Sequence, residues 1–163
     1  MSGGVRWADG RAFHGGEGKI YDGPLGWAVN KRSECMAHVV YEPAHENPSE
    51  QGLLRGAGKD FATWVFCEER GKAEGLLQSG IELVIDARLE PGAAVGMHVH
   101  AETEELYYLL EGALEMTTRA PDGREHEEAL RPGDAHLVKR GQSHGGVAGP
   151  QGARFLVVAA RPR

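Results

Sequence analysis

The sequence HVHAETEELYYLLEG occupies residues 98–112 and carries the most informative pattern in the chain. His98 and His100 are one residue apart, and positions i and i+2 of a β-strand point to the same face of a sheet. Both imidazoles are therefore predicted to project together. Residues 101–104 are predicted to form a hairpin loop, so that Glu105 opens the next strand beside the two imidazoles. Two imidazoles and a carboxylate favour a divalent transition metal.

Glycines at both ends extend this stretch into a longer pattern. Gly92, His98, His100, Glu105 and Gly112 follow the spacing G-x5-H-x-H-x4-E-x6-G. In this spacing, the segment resembles the first conserved motif of the cupin superfamily.

A second motif follows the turn signal at residues 121–123. Gly133 is followed, after five residues, by KRGQSH, which spans Lys139 to His144 and resembles the second cupin motif. Members of the family usually have Pro at the position of Lys139 and Asn at the position of Ala148. Neither departure removes the histidine, and the resemblance covers about residues 81–160.

The resemblance implies a jelly-roll β-barrel that holds one divalent transition metal through His98, His100, Glu105 and His144. Three imidazoles and one carboxylate leave one or two positions of a five- or six-coordinate metal open to substrate, water or dioxygen. Fe(II), Zn(II), Ni(II) and Mn(II) all accept this donor set, so the ligand types leave the metal open.

The rest of the chain predicts an all-β protein. Runs rich in β-formers at 36–41, 61–67, 81–89, 106–118, 124–130, 135–139 and 154–160 alternate with turn signals, which indicates an antiparallel sandwich or barrel. Gly112 predicts a bend within its strand. Weaker β-like pieces lie at 19–21 and 27–29, and short helices are predicted only at Ser49–Leu54 and Glu68–Gln78.

The chain is divided into two predicted regions. Residues 1–60 form a partly irregular N-terminal extension, with a polar loop or flap at 42–59, and residues 61–163 form a single cupin β-barrel domain. His14, His38 and His45 lie in the extension and could reach the cavity if the extension closes over it. A surface or locally bonded role is the alternative for each of them.

Two side chains are predicted to serve catalysis. Tyr107 shares a strand face with Glu105 and Leu109 and could donate a hydrogen bond to a substrate, the alternative being packing in the pocket wall. His136 lies in the strand between the turn at residues 132–134 and His144, and it could act as an acid–base group. The alternative is a histidine that points outward or is hydrogen-bonded.

Several other side chains are weaker candidates. The aromatic and thioether residues with strand spacing are predicted to lie in the core or the pocket wall, with core preferred: Trp64, Phe66 and Met116. Lys139 and Arg140 at the predicted rim could attract an anionic substrate, but adjacent strand residues face opposite ways, so at most one of them does.

Composition excludes several classes of protein. The 163 residues contain 18 Lys plus Arg against 24 Asp plus Glu, a net charge of −6 that disfavours nucleic acids and anionic membranes as partners. The sequence has no apolar run of about 20 residues and no apolar targeting segment at its start, so a cytoplasmic protein is expected. Cys35 and Cys67 are expected to be reduced thiols, although one disulfide is possible.

These features predict a metal-dependent enzyme that acts on a small organic molecule, an intermediate of a biosynthetic pathway. Lewis-acid chelation and dioxygen activation remain alternatives, so an oxygenase, isomerase, cyclase or lyase is possible. The alternative function is non-catalytic, metal-assisted binding or sensing of a small molecule. A homodimer is expected because cupins commonly pair through their sheets and residues 1–60 lack a core of their own.

Overall fold

The structure is a computed structural model that describes residues 6–7, 36–41, 54–56, 58–67 and 79–162. This part of the chain contains strands and turns and no helix, so the protein is all-β as predicted. The strands are β1 Arg6–Trp7, β2 Ala37–Tyr41, β3 Leu54–Gly56, β4 Asp60–Cys67, β5 Ile81–Leu89, β6 Ala93–Val99, β7 Glu104–Arg119, β8 Glu125–Leu130, β9 Ala135–Val138 and β10 Ser143–Ala160.

Two long strands, β7 and β10, belong to both faces of the barrel and join them. Residues 153–160 of β10 pair with 104–112 of β7, whereas residues 143–148 of β10 pair with 114–119 of β7. One sheet therefore has the order β1-β2-β4-β5-β10-β7-β9, and the other has the order β3-β6-β10-β7-β8. All pairs are antiparallel, and the architecture is the predicted jelly-roll barrel.

Two glycines allow β7 and β10 to bend together between the sheets. Gly112 has a φ of 77° and Gly152 a φ of 78°, a region that side chains with a Cβ rarely adopt. A Cβ on Gly112 would overlap the carbonyl oxygen of Gly152. The bend that the sequence predicts at Gly112 is therefore found, and it depends on this close approach of two backbones.

Alternate residues of the strands build the core between the sheets. The most buried large side chains are Leu89, Leu109, Leu114, Met116 and Phe155, each at most 1% exposed. Burial of one such side chain stabilises a fold by about 1.5–3 kcal/mol. Met116 thus lies in the core, as its spacing predicts.

Most strand predictions are confirmed, and the run at 81–89 forms β5 with the same bounds. The strand predicted around His98 is found as β6, but its first residues, from Ala93, are missed because the sequence AAVGM has two alanines and a glycine, which have weak β-propensity. Leu54 opens β3 and does not end a helix. The remaining residues of both predicted helices, 49–53 and 68–78, lie outside the described residues, as do the β-like pieces at 19–21 and 27–29.

Residues from the predicted N-terminal extension contribute strands to both sheets. β2 pairs with β4 at one end of the first sheet, and β3 pairs with β6 in the second. The domain boundary near residue 60 stays a prediction. In the described part of the chain, no helix has the length and apolarity that crossing a membrane requires.

Candidate metal centre

The four predicted ligands come from three strands that the barrel brings together. His98 lies on β6 and His100 directly follows that strand, while Glu105 lies on β7 and His144 on β10. Because β6 and β10 are paired, His144 is placed directly opposite His98. The four side chains form a group whose ligand atoms all lie within 4.8 Å of one another.

A β-bulge in β6 sets the direction of His98. His144 and Gly146 of β10 are two residues apart, whereas their partners His98 and Val95 on β6 are three apart. The extra residue changes the alternation of the strand, so both Val95 and His98 face the cavity. Gly145 makes room for the bulge, because a Cβ there would lie 3.0 Å from backbone atoms of β6.

The Nε2 atoms of the three histidines form a nearly equilateral triangle. The Nε2 of His100 lies 3.1 Å from that of His98 and 3.1 Å from that of His144, and the third side is 3.2 Å. Oε2 of Glu105 lies 3.0 Å from Nε2 of His144, 3.4 Å from that of His100 and 3.9 Å from that of His98. Four donor atoms thus converge on one point.

This spacing fits a metal ion. Two nitrogen atoms that bind one ion at about 2.1 Å and at a right angle lie about 3.0 Å apart. The triangle sides of 3.1–3.2 Å match that value. Imidazole and carboxylate are ligands for Mn, Fe, Ni and Zn, so His98, His100, Glu105 and His144 could bind any of these ions.

The outer nitrogen of each histidine has a partner that orients the ring. His98 Nδ1 donates to the carbonyl oxygen of Gly96 at 2.9 Å, which leaves the lone pair on Nε2 directed at the centre. His100 Nδ1 lies 3.1 Å from Thr103 Oγ1, and His144 Nδ1 lies 3.1 Å from His136 Nε2. Such outer partners fix the tautomer and strengthen metal affinity.

The turn at residues 139–142 holds the backbone of His100. The N–H of His100 donates to the carbonyl of Gln142, and the carbonyl of His100 accepts from the N–H of Gly141. The side chain of Gln142 also accepts the N–H of Lys139 at 2.9 Å. That contact satisfies the donor that a proline at this position would lack, so the departure at Lys139 leaves the turn intact.

Burial and the charge of Glu105 set the protonation states of the centre. Burial alone would raise the pKa of Glu105, but the neighbouring imidazoles of His100, His144 and His98 outweigh it and hold that pKa far below its usual range. Burial lowers the pKa of His144 to about 4 against the opposing effect of Glu105, so this imidazole is neutral at pH 7. An ionised carboxylate and a neutral imidazole are the forms that bind metals.

A cavity of about 330 Å³ opens onto the centre. His98, His100 and Glu105 line it, together with Thr103 and Tyr107. Much of the remaining wall is apolar and comes from β4, β5, β6 and β10: Ala62, Leu83, Ile85, Val95, Phe155 and Val157. None of the lining residues in the described part of the chain is a lysine or an arginine.

Tyr107 lies at the junction of the cavity and the metal ligands. Its ring stacks on Phe155 at 4.8 Å and lies 4.9 Å from the ring of His144. Burial raises the pKa of its hydroxyl well above the ordinary value, and the charges of Glu105 and Asp60 raise it further. The phenol is therefore protonated at neutral pH and can donate a hydrogen bond.

His136 lies behind His144, away from the cavity. It is hydrogen-bonded to the outer nitrogen of His144 and is not among the cavity-lining residues. Burial lowers its pKa, although Glu128 and Glu105 oppose that effect. This placement favours the hydrogen-bonded alternative, while the acid–base role stays a prediction.

The weaker candidates fall in different places. Trp64 lines the cavity, whereas Leu109 is fully buried in the core. His38 is exposed and bonds Thr63 at 3.0 Å, outside the cavity lining. Lys139 and Arg140 are exposed and do not line the cavity. The structure does not describe His14, Cys35 and His45, nor the side chains of Phe66 and Cys67.

Three groups at the site are missed by the sequence patterns. Gly96 acts through its carbonyl, for which a sequence has no signal. Thr103 lies in the loop between His100 and Glu105, where a hydroxyl three residues after a ligand histidine could have suggested a partner. Asp60 begins the alternation Asp60, Ala62, Trp64 on β4, and an acid on the inward face of a β-rich run is the signal that could have found it.

Comparison with known proteins agrees with this fold. A sequence-family profile described as "Cupin domain" matches residues 86–159. A predicted oxalate decarboxylase from Thermotoga maritima is 23% identical over 66% of this chain and 84% of its own, with a TM-score of 0.52. KdgF from Halomonas sp. is 18% identical over 64% of this chain and 80% of its own, with a TM-score of 0.50.

A larger protein also contains the same fold. A substitution variant of oxalate decarboxylase from Bacillus subtilis is 23% identical over 73% of this chain, with a TM-score of 0.54. This chain spans 32% of that protein's length. No curated protein sequence matches the chain. The likeness to these structures shows the fold, and the matching profile identifies residues 86–159, which contain both motifs, as a cupin domain.

Proposed function

We propose that this protein is a metal-dependent enzyme that acts on a small organic molecule. The observation that carries the proposal is the convergence of four metal-binding atoms within 4.8 Å at the wall of a cavity of about 330 Å³. A purely structural metal site is usually closed by its ligands, whereas a catalytic site faces open space. The solved relatives with this fold include proteins named as oxalate decarboxylases, which supports an enzymatic role.

Each residue of the centre has a chemical task under this proposal. His98, His100, Glu105 and His144 hold the divalent ion, which when bound supplies a Lewis acid or a site for dioxygen. Tyr107 keeps its proton because its pKa is raised by burial, and it donates a hydrogen bond to an oxygen of the bound molecule. His136 Nε2 accepts a hydrogen bond from the Nδ1–H of His144 and holds that ring in position.

The cavity wall limits the substrate. For a small dianion such as oxalate, the divalent ion would be the main cationic partner, since the described lining adds no lysine or arginine. The apolar side chains of the wall favour an organic molecule that is mostly apolar, bound to the metal through one or two oxygen atoms. Isomerase, cyclase, lyase and oxygenase chemistry are all compatible with that mode of binding.

The metal is one of four candidates. A neighbouring structure of the Bacillus subtilis oxalate decarboxylase is described by its Mn(II) centres, which favours testing Mn(II) first. Fe(II), Zn(II) and Ni(II) suit the same ligands. Iron would favour dioxygen chemistry, and the other three would favour Lewis-acid chemistry.

The second candidate function is metal-assisted binding or sensing without turnover. The same open centre would hold a small molecule reversibly, and the apolar wall would supply most of the affinity. The two functions differ in the fate of the bound molecule. A sensor releases it unchanged, whereas an enzyme converts it.

The experiment that separates them is untargeted mass spectrometry of small molecules. The protein loaded with Mn(II), Fe(II) or Zn(II) is incubated with a bacterial metabolite extract, beside its metal-free form and the variants His98→Ala and His100→Ala. The proposal predicts that at least one compound is consumed and another appears only with metal-loaded wild type. If a compound is retained by the protein but none is consumed, the binding function replaces the enzymatic one.

A further inference from the structure

Strand β4 brings two polar side chains to the cavity, on a wall contributed by a strand that carries no metal ligand. Asp60, Ala62 and Trp64 alternate along β4 and line the cavity together. Asp60 is only 9% exposed. Its Oδ1 atom and the Nε1 atom of Trp64 are both buried, and neither has a hydrogen-bond partner among the described residues.

Such groups are uncommon in folded proteins. More than about nine in ten buried polar groups have a hydrogen-bond partner, because an unpartnered donor or acceptor is costly. The other two buried acids on the cavity wall each contact a basic side chain. Glu82 is paired with Arg161, and Glu105 is bonded to His144. Asp60 and Trp64 therefore present an acceptor and a donor that the described residues leave unused.

Their position complements the metal centre. In the first sheet, β5 and β10 separate β4 from β7, which carries Glu105. Three strand spacings of about 4.8 Å each amount to about 14 Å along the sheet. A molecule bound to the metal at one end can therefore extend along apolar side chains toward β4. Ile85 and Val157, on the two intervening strands, are paired in register and both line that path, which meets β4 at Trp64, the partner of Ile85. Asp60 lies four residues further along β4.

We propose that Asp60 and Trp64 are substrate-binding residues, which hold the end of an uncharged, largely apolar molecule that lies away from the metal. This inference rests on the proposed function. The molecule carries a hydroxyl or amide group that donates to Asp60 and an oxygen that accepts from Trp64. Because the two residues are four positions apart on a strand, about 13 Å, they contact different atoms of the molecule.

The hydrogen-bonding chemistry of Asp60 and Trp64 favours an uncharged group on the bound molecule. An alkylammonium group offers donors only and would leave the Trp64 N–H without an acceptor, and a carboxylate would be repelled by Asp60. Burial also raises the pKa of Asp60 to about 7, so this carboxyl is easily protonated at neutral pH. A neutral polar group satisfies both orphan atoms without burying a net charge.

Hydroxamic acids with a variable tail provide the probes. The hydroxamate chelates Zn(II) in the loaded protein, and a homologous series of ω-hydroxyalkyl tails brackets the length of about 14 Å toward β4. Each ω-hydroxy compound is compared with its methyl ether, which cannot donate, and with its ω-ammonium analogue. Dissociation constants are measured by isothermal titration calorimetry for wild type, Asp60→Ala, Asp60→Asn, Trp64→Phe and the exposed-turn control Asp122→Asn.

The expected result is a length at which the ω-hydroxy compound binds wild type about tenfold more tightly than its methyl ether, as one hydrogen bond provides. Asp60→Ala removes this gain, Asp60→Asn reduces it and keeps the side-chain volume, and Asp122→Asn leaves it unchanged. Trp64→Phe keeps the ring and loses the N–H, so it weakens the probes whose tail oxygen reaches residue 64.

Two kinds of failure are distinguishable. If the methyl ethers fail to bind the Zn(II)-loaded protein, or bind His98→Ala equally well, the open metal centre of the proposed function is contradicted. If the methyl ethers bind but no ω-hydroxyl adds affinity, or the gain survives in Asp60→Ala, the inference about β4 is overturned. A larger gain for the ω-ammonium compounds overturns the assignment of an uncharged substrate.

Discussion

Asp60 has a consequence for the stability of the whole protein. Burial raises its pKa from 3.8 to about 7, so between these values the folded state binds more protons than the unfolded state. The free energy of unfolding therefore falls as pH rises through this interval, and the loss is complete above about pH 7. The rise of the Asp60 pKa from 3.8 to about 7 corresponds to a loss of unfolding free energy of about 4 kcal/mol as an upper bound.

The variant Asp60→Asn lacks this titration. We expect it to be as stable as wild type near pH 4 and more stable than wild type near pH 8, in urea unfolding of the metal-free protein. Both proteins share the other titratable groups of the described cavity lining, so the contributions of these groups to the pH dependence cancel in the difference. These groups are His98, His100, Glu82, Glu105 and Tyr107. A difference that does not change with pH would mean that Asp60 is ionised beside a partner.

The second prediction concerns the hydrogen bond between His136 and His144. Because its Nε2 lies 3.1 Å from His144 Nδ1, loss of this acceptor frees the ring of a metal ligand to turn. His136→Phe is expected to weaken metal binding roughly ten- to hundredfold. His136→Gln, which offers an acceptor oxygen, should recover part of the loss in competition titrations against a coloured chelator.

The exposed histidine of β8 supplies the control for this experiment. His126→Phe removes an imidazole whose side chain is 75% exposed, and metal affinity should stay at the wild-type value. If His136→Gln binds metal normally but loses turnover, His136 acts as an acid–base group and the positioning role is wrong.

The grouping of the four candidate metal ligands could be predicted from sequence, but their surroundings could not. His98 and His100 are separated by a strand period, and the motif spacing that adds Glu105 and His144 is specific to one family. The partners of these rings depend on distance in space: Thr103 and His136 each reach a different ligand through one atom. The proposed role of Asp60 could not be predicted from sequence, because it depends on burial at the cavity and on the lack of a hydrogen-bond partner for Oδ1 among the described residues.

Among the elements, the paired bend of β7 and β10 is the most sensitive to substitution. Gly112→Ala would force a Cβ onto the carbonyl oxygen of Gly152 and an unfavourable φ onto the new side chain. We expect this variant to lose about 2–4 kcal/mol of unfolding free energy. Chemical denaturation followed by circular dichroism measures the loss.

Gly123 is the matched control for the bend. It also has a positive φ, 85°, but a Cβ there would meet nothing within 4 Å. Gly123→Ala should therefore cost only the conformational penalty, about 1 kcal/mol. Equal losses for the two variants would contradict the claim that close approach of two backbones fixes the bend.

The first residues of strand β6 show why local sequence patterns do not find every strand boundary. Its alanines and Gly96 carry little β-propensity, and its order comes from pairing with β3 and β10 on its two sides. The same weak sequence makes the bulge at Gly96 possible, which turns His98 toward the centre. By contrast, β5 is predicted to the residue because β-branched and apolar side chains run between clear turns.

For the whole molecule, turn spacing and two motifs were sufficient to predict the jelly-roll barrel. They could not predict that β2 and β3 join it, because the sequence before residue 60 is rich in glycine and weak in periodicity. The cytoplasmic location stays a prediction. So does the division at residue 60.

The protein is also predicted to form a homodimer. A chain of 17.6 kDa should give about twice that mass in light scattering if two barrels pair through their sheets. Leu137 on β9 is 53% exposed and Tyr108 on β7 is 40% exposed, which leaves apolar surface available on that sheet. A monomer mass at all concentrations measured would show the prediction to be wrong.

The central claim is that His98, His100, Glu105 and His144 form one metal-binding centre. The most direct test is metal content by inductively coupled plasma mass spectrometry after loading and desalting, for wild type and His144→Ala. We expect about one equivalent in wild type, and affinity lowered at least about a hundredfold in the variant with an unchanged circular dichroism spectrum. Wild type that binds no metal, or a variant with full occupancy, would contradict it.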